Sequence, residues 1–327
     1  MFNESTHYLL NYRKEFFMKK LTCFLLTAIM FLSFTSDAFS ARTNADKFIK
    51  DLGSSDTEKI KIAQEQLILL GKDGIPDLIK ALDNENTQIR GYVAVTLGMM
   101  KAKDAVDKLI LSLKDSSSSV RVSAIWALGE IRDDRAIKPV EDIYKNSSGL
   151  EKLSSTVTLI HLGQPEKITV LIEFLMNENG YVRRTAANAL GELRGEPQGD
   201  YEGVKKLVDT MANPGTGEED IKTAGKMLID KKLRALYPLI ETLNDSNEQK
   251  RAVAALYLAQ LDNEVSIIPL GITLKKDTSP YVRSTVAESL KKINDARALP
   301  YLKDALKKES DGKAKGAIEE AIKKIKK

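Results

Sequence analysis

The sequence holds one cysteine and two histidines in 327 residues. That inventory is too small for a zinc finger, a Cys/His metal cage or a disulfide framework, so neither a metal nor a cofactor is expected. Aromatic residues make up only 6% and there is one tryptophan. Any core must therefore be built from Leu, Ile, Val and Ala, as in helical rather than sandwich-like proteins. Gly (19) and Pro (9) are scarce and 43% of residues are hydrophobic, which excludes collagen and disorder. Charge of one sign is also missing: 50 Lys and Arg against 46 Asp and Glu leave +4, with both signs spread along the chain, which excludes a basic nucleic-acid coat. There is no Gly-rich phosphate loop, no Gly-x-Ser-x-Gly elbow and no histidine spare for a triad. The chain is expected to have no catalytic residues, although carboxylate-only mechanisms leave little sequence trace.

The first distinctive feature is an address. Met18-Lys19-Lys20 precedes an uncharged apolar run from Leu21 to Phe34, followed by the small-residue zone Ser36-Asp37-Ala38-Phe39-Ser40-Ala41. The order of basic, apolar and small segments predicts a signal peptide over 18–40, cut before Ala41, with a cut before Phe39 as the alternative. At 14 residues the apolar run falls short of the roughly 20 that span a bilayer. Residues 1–17, which carry Glu4, Arg13, Lys14 and Glu15, read as an upstream over-call of the start. Cys23 sits at the front of the apolar run after Thr22, a poor setting for lipidation. The expected location is the periplasm or the exterior, where a mature chain without cysteine needs no disulfide.

The rest is repetitive. Arg90-Gly91-Tyr92-Val93-Ala94-Val95-Thr96-Leu97-Gly98 returns 31 residues later as Arg121-Val122-Ser123-Ala124-Ile125-Trp126-Ala127-Leu128-Gly129, and again at Arg183 to Gly191. Weaker copies begin at Arg251 and Arg283. A fixed period of this length means stacked supersecondary units. Each unit divides into two helical patterns, helix A and helix B: Ala105, Val106, Leu109, Ile110 and Leu113 recur at helical spacing, Lys114 to Ser119 break the pattern, and Val120, Ala124, Ala127, Leu128 and Ile131 resume it. Ser55 to Glu58 and Thr216 to Glu219 have capping-box spacing, and Pro76, Pro139, Pro238, Pro269 and Pro300 fall in or near the first turn of a helix A.

The phrase of Val-Arg, two residues, Ala, then Leu-Gly, with an Ala-Ile-Pro-like opening and a Leu-x-x-x-Leu-x-Asp close, resembles the HEAT repeat of the phycobilisome-lyase-like subclass. The resemblance implies an all-α, right-handed α-α superhelix of about eight helix pairs over 56–310, with 41–55 as an N-terminal cap and 311–327 as a lysine-rich capping helix. It also implies that helix B lines a concave side. Unit four departs most, with Ser155 where the arginine belongs, and unit five carries an enlarged loop from Gly195 to Glu202 that is either a contact site or a tolerated insertion. Deoxyhypusine hydroxylase, a HEAT-repeat iron enzyme, uses His-Glu dipeptides. Here Tyr8 and Leu162 follow the histidines, so no such site carries over. The phycobilin lyases lack a simple transferable motif.

Four features stand out. Asp115 with Arg121, Asp245 with Arg251 and Asp277 with Arg283 keep one spacing, and in HEAT proteins such pairs form a ladder tethering neighbouring units. On the helical wheel Trp126 points away from the buried stripe, which predicts an exposed concave row of Val95, Trp126 and Ile160, then Asn188, with Met99 at its edge. Such a row either marks a partner surface or lies under a flanking helix. His161 aligns with Ala127 and reads as a buried, hydrogen-bonded histidine. The stretch from Lys291 carries twelve basic residues against six acidic ones: a solvated polar cap, or a weak contact with an anionic surface such as lipid head groups. The expected function is a non-enzymatic scaffold that binds a partner protein. A lyase-like enzyme accessory and an envelope-associated structural protein are the alternatives.

Overall fold

The structure is a computed structural model that describes residues 40–195, 199–261 and 263–325, and all regular structure among them is helical. The chain forms two compact bodies, one up to Lys167 and one from Ile168, each a stack of helix pairs of the α-α solenoid type. The N-terminal body pairs α1 (Ser40–Asp51) with α2 (Thr57–Leu69), α3 (Ile75–Ala81) with α4 (Thr87–Met99), α5 (Val106–Ser112) with α6 (Ser118–Ile131), and α7 (Ile137–Asn146) with α8 (Gly149–His161). The C-terminal body pairs α9 (Ile168–Glu173) with α10 (Gly180–Arg194), α11 (Tyr201–Ala212) with α12 (Glu218–Asp230), and α13 (Leu233–Thr242) with α14 (Glu248–Leu261). Its last pairs are α15 (Ile267–Lys276) with α16 (Pro280–Ile293) and α17 (Leu299–Leu306) with α18 (Gly312–Ile325).

The expected terminal caps belong to full pairs. α1 is the first helix of a pair and buries Ala45, Ile49 and Leu52 with its following turn, while α18 is the second helix of the last pair and buries Ala314, Ala317, Ile318 and Ala321. The upstream start, Cys23 and all of the proposed leader but its last residue, Ser40, fall within residues 1–39, outside the described residues, as do residues 196–198 of the enlarged loop.

Within each body the second helices lie side by side: α4, α6 and α8 in the first, α14, α16 and α18 in the second. Such a helix touches its own first helix and a neighbour on each flank, so apolar residues appear almost all round it. α6 buries Val120, Ala124, Ile125, Ala127, Leu128, Gly129 and Ile131, a far wider arc than a single amphipathic stripe. The recurrent Leu-Gly follows from the same packing. A Cβ on Gly98 would lie 2.7 Å from the Ala127 Cα, and one on Gly129 2.8 Å from the Thr158 Oγ1, so glycine lets consecutive second helices approach backbone to side chain.

Three local features depart from the sequence expectations. The α2 N-cap is Asp56, not Ser55: the Asp56 carboxylate accepts from the Glu58 and Lys59 amides. The α12 N-cap is Gly217, which has no side chain to cap with, not Thr216. Pro238 lies inside α13 rather than in its first turn, whereas Pro76 and Pro300 are at helix starts as expected.

Candidate functional site

The fourth residue of each second helix sets a common register. In α4, α6, α8 and α10 it is Arg90, Arg121, Lys152 and Arg183, each 31 residues from the last. In α12, α14, α16 and α18 it is Ile221, Arg251, Arg283 and Lys315. Unit four is therefore out of register by three in the sequence reading: Lys152, not Ser155, occupies the arginine position, and its ammonium lies 5.2 Å from the centre of the Tyr144 ring. The misleading signal was Leu162-Gly163, which resembles the mid-helix Leu-Gly but follows the helix end, with Gly163 at φ 93°.

The ladder is present, with a different partner choice from the one its spacing suggests. Arg251 donates Nη1 to the backbone carbonyls of Asp245 and Ser246, both at 3.0 Å, while its Nε and Nη2 grip Asp277 of the next repeat at 2.7 and 2.9 Å. Arg90 treats Asn84, Glu85 and Asp115 in the same way. Arg121 bonds the Asp115 carbonyl and reaches Glu151, because the position matching Asp115 in that repeat is Asn146. Arg283 bonds the Asp277 carbonyl and grips Glu309. Thus each aspartate offers its carbonyl to its own repeat's arginine and, at Asp115 and Asp277, its carboxylate to the preceding one. Asp245 is the exception: the preceding repeat has Ile221, and Asp245 instead faces Lys250 at 3.9 Å. Arg183 caps the Asn177 and Glu178 carbonyls, but its buried Nε finds no acceptor, since Gly215 stands at the matching position of the next repeat.

These ion pairs shift titration. The hydrogen bond from Arg90 holds the Asp115 carboxyl below its ordinary value, and that from Arg283 does the same for Glu309. Arg135 brings Asp133 down to about 2 by a hydrogen bond at an exposed turn. Helix tethering accounts for the first two and a local turn for the third, and among the described residues no group of three His, Cys, Asp or Glu is placed to hold a metal ion.

The predicted concave row fares unevenly. Val95 and Trp126 do share one position, the ninth of their helices, but Val95 is buried at 3% exposure. Trp126 is half-buried, not exposed; its ring packs over Gly98 of the preceding repeat, where the missing side chain leaves room. The register shift removes Ile160 from the row: Val157 is the ninth residue of α8, and Ile160 matches Gly98 and Gly129. Met99, Ile160 and Asn188 are half-buried. His161 matches Glu130 rather than Ala127 and is half-buried at the end of α8.

In the C-terminal body the same ninth position does reach solvent. Leu256 of α14 is 47% exposed, and with Ala259 one turn on it lies in a groove of about 780 Å³ between α14, α16 and α18. Glu288, Lys291 and Lys292 of α16 and Glu320, Lys323 and Lys324 of α18 form its charged walls. Sequence reasoning missed this groove, although Leu256 sits at the register position of Trp126 in the weaker copy that begins at Arg251. α12 adds Met227 (53% exposed) and Ile229 (38%).

A family model of HEAT repeats matches residues 75–160 and 236–323, more than half of the chain. The chain belongs to the HEAT-repeat family. No curated protein sequence matches it significantly. Among solved structures, YibA of Escherichia coli is 20% identical, with 90% of this chain and 98% of that one covered and a TM-score of 0.41. Human deoxyhypusine hydroxylase in complex with glycerol is likewise 20% identical, covering 88% and 98% with a TM-score of 0.36. The complex of CpcE and CpcF of phycocyanin lyase from Nostoc is 16% identical, covering 86% and 94% with a TM-score of 0.35. At these values the likenesses carry no argument about this chain, and the chemistry of those proteins stays with them.

Proposed function

We propose that this HEAT-repeat chain is a non-catalytic scaffold that holds a partner protein against the solvent-facing edge of its second helices, acting in the periplasm or outside the cell once residues up to Ser40 are removed. The observation that carries the binding role is Leu256, a large apolar side chain 47% exposed on a helix that buries Ala252, Ala254, Ala255, Leu258 and Ala259. Burying such a residue stabilises a complex by about 1 kcal/mol or more, and helix stacks present it on a rigid frame that needs little ordering on association. Export rests on the sequence alone: Met18-Lys19-Lys20, the apolar run to Phe34 and the small residues before Ala41. No helix among the described residues is long and apolar enough to cross a membrane. A lyase-like role or a structural role in the envelope has no comparable observation in its favour, because the shifted carboxylates Asp115 and Glu309 are tied up in helix tethering.

Photo-crosslinking in cells from probes placed at Trp126, Met227 and Leu256, with mass spectrometry of the adducts, tests the reading. A discrete adduct lost on Leu256→Asp or Met227→Asp supports it. Absence of adducts from all three probes in folded protein overturns it.

A further inference from the structure

The groove at the end of the C-terminal body has an apolar floor and an unequal charge balance. Leu256 and Ala259 form the floor. Lys291 sits between the two wall carboxylates, 2.7 Å from Glu288 and 3.0 Å from Glu320, and so occupies both. That leaves Lys292 at the end of α16 and Lys323 and Lys324 at the end of α18, all three exposed and none in an ion pair seen among the described residues. Lysines at helix ends also serve the helix dipole. In formal charge the four wall lysines against two glutamates leave +2, and three helix C-termini at about half a negative charge each offset roughly 1.5 of it. A small positive excess therefore remains around an apolar floor.

We propose that this groove binds an acidic segment of a partner protein that carries an apolar anchor residue. The anchor covers Leu256 and Ala259, and flanking carboxylates meet Lys292, Lys323 and Lys324. A peptide fits better than a lipid surface because the lysines rim a concavity, which a flat bilayer cannot enter, and better than a small anion because the exposed Leu256 offers it nothing. The volume of about 780 Å³ holds several side chains. The inference rests on the scaffold reading and gives it a site and a partner chemistry.

Fluorescence anisotropy on the full chain with a labelled glutamate/leucine peptide provides the test, beside a lysine/leucine peptide, a glutamate/serine peptide and vesicles of phosphatidylglycerol. The glutamate/leucine peptide is expected to bind, more weakly as salt rises. Combining Lys292→Glu, Lys323→Glu and Lys324→Glu should weaken it about tenfold or more, and Leu256→Ser should do so without altering the salt dependence. The three lysines are exposed, so the fold should survive; should it not, the ranking of the peptides on the unaltered chain decides. Equal binding of the lysine/leucine peptide, equal binding of the glutamate/serine peptide, an unchanged affinity in the charge reversal, or vesicle binding without peptide binding would each overturn the proposal. Adducts persisting from Trp126 or Met227 after such a failure would remove this groove and leave the scaffold reading standing.

Discussion

Replacing Arg251 with alanine removes a residue that ties two repeats together, and the structure sets the size of the effect. The guanidinium makes two charge-assisted bonds to Asp277, at 2.7 and 2.9 Å, with the side chains only 12% and 4% exposed. Nη1 also satisfies the carbonyls of Asp245 and Ser246. Breaking a fully buried pair costs about 3–5 kcal/mol, because the remaining charge is stranded. Here Asp277 keeps the Ser279 amide at 2.9 Å and water gains some access, so about 2–3 kcal/mol is expected. Arg183→Ala is the internal comparison: Arg183 makes the same two carbonyl bonds without a carboxylate, so its loss should cost about 1 kcal/mol. The difference isolates the inter-repeat carboxylate bond. Urea unfolding of each variant, with slopes checked against the parent and amide exchange around α14 and α16 to localise the loss, measures it. Equal costs at Arg251 and Arg183, or a cost at Arg251 below about 0.5 kcal/mol, would refute the reasoning that the ladder tethers neighbouring repeats.

Other expectations follow from the same contacts. Asp115 and Glu309 have folded values below the ordinary 3.8 and 4.5, so their contribution is complete above those values and is lost as pH falls through the lowered ones. The urea midpoint should accordingly hold steady down to about pH 5 and decline below about pH 4; a midpoint that rises on acidification would contradict the assignment. Gly98→Ala should destabilise by about 1–2 kcal/mol despite alanine's better helix propensity, since the added methyl meets the Ala127 backbone; a stabilised variant in thermal unfolding would show the helices can part. Trp126, half-buried over Gly98, should be only partly accessible to acrylamide quenching, and full accessibility would place it in solvent as the sequence suggested. N-terminal sequencing of exported protein should begin at Ala41 or Phe39, and a chain starting at residue 1 or 18 would end the cleavage reading.

Much of the fold was legible because repetition is a property of sequence. A period of 31 residues, two helical patterns per period and the recurrent arginine imply stacked helix pairs whatever the tertiary detail. Composition likewise decided that the core is aliphatic and that no cysteine or histidine framework supports it. What the sequence could not decide is which atoms of the repeated residues meet. Spacing pairs Asp115 with Arg121, whereas packing gives Arg121 the Asp115 carbonyl and gives Arg90 its carboxylate. Exposure was also a tertiary matter. Val95, Trp126 and Leu256 share one helical position, yet the first is buried, the second rests on a glycine and the third faces a groove. A helical wheel sees one helix at a time, and in a stack the fate of a side chain depends on the size of the residues presented by the next helix.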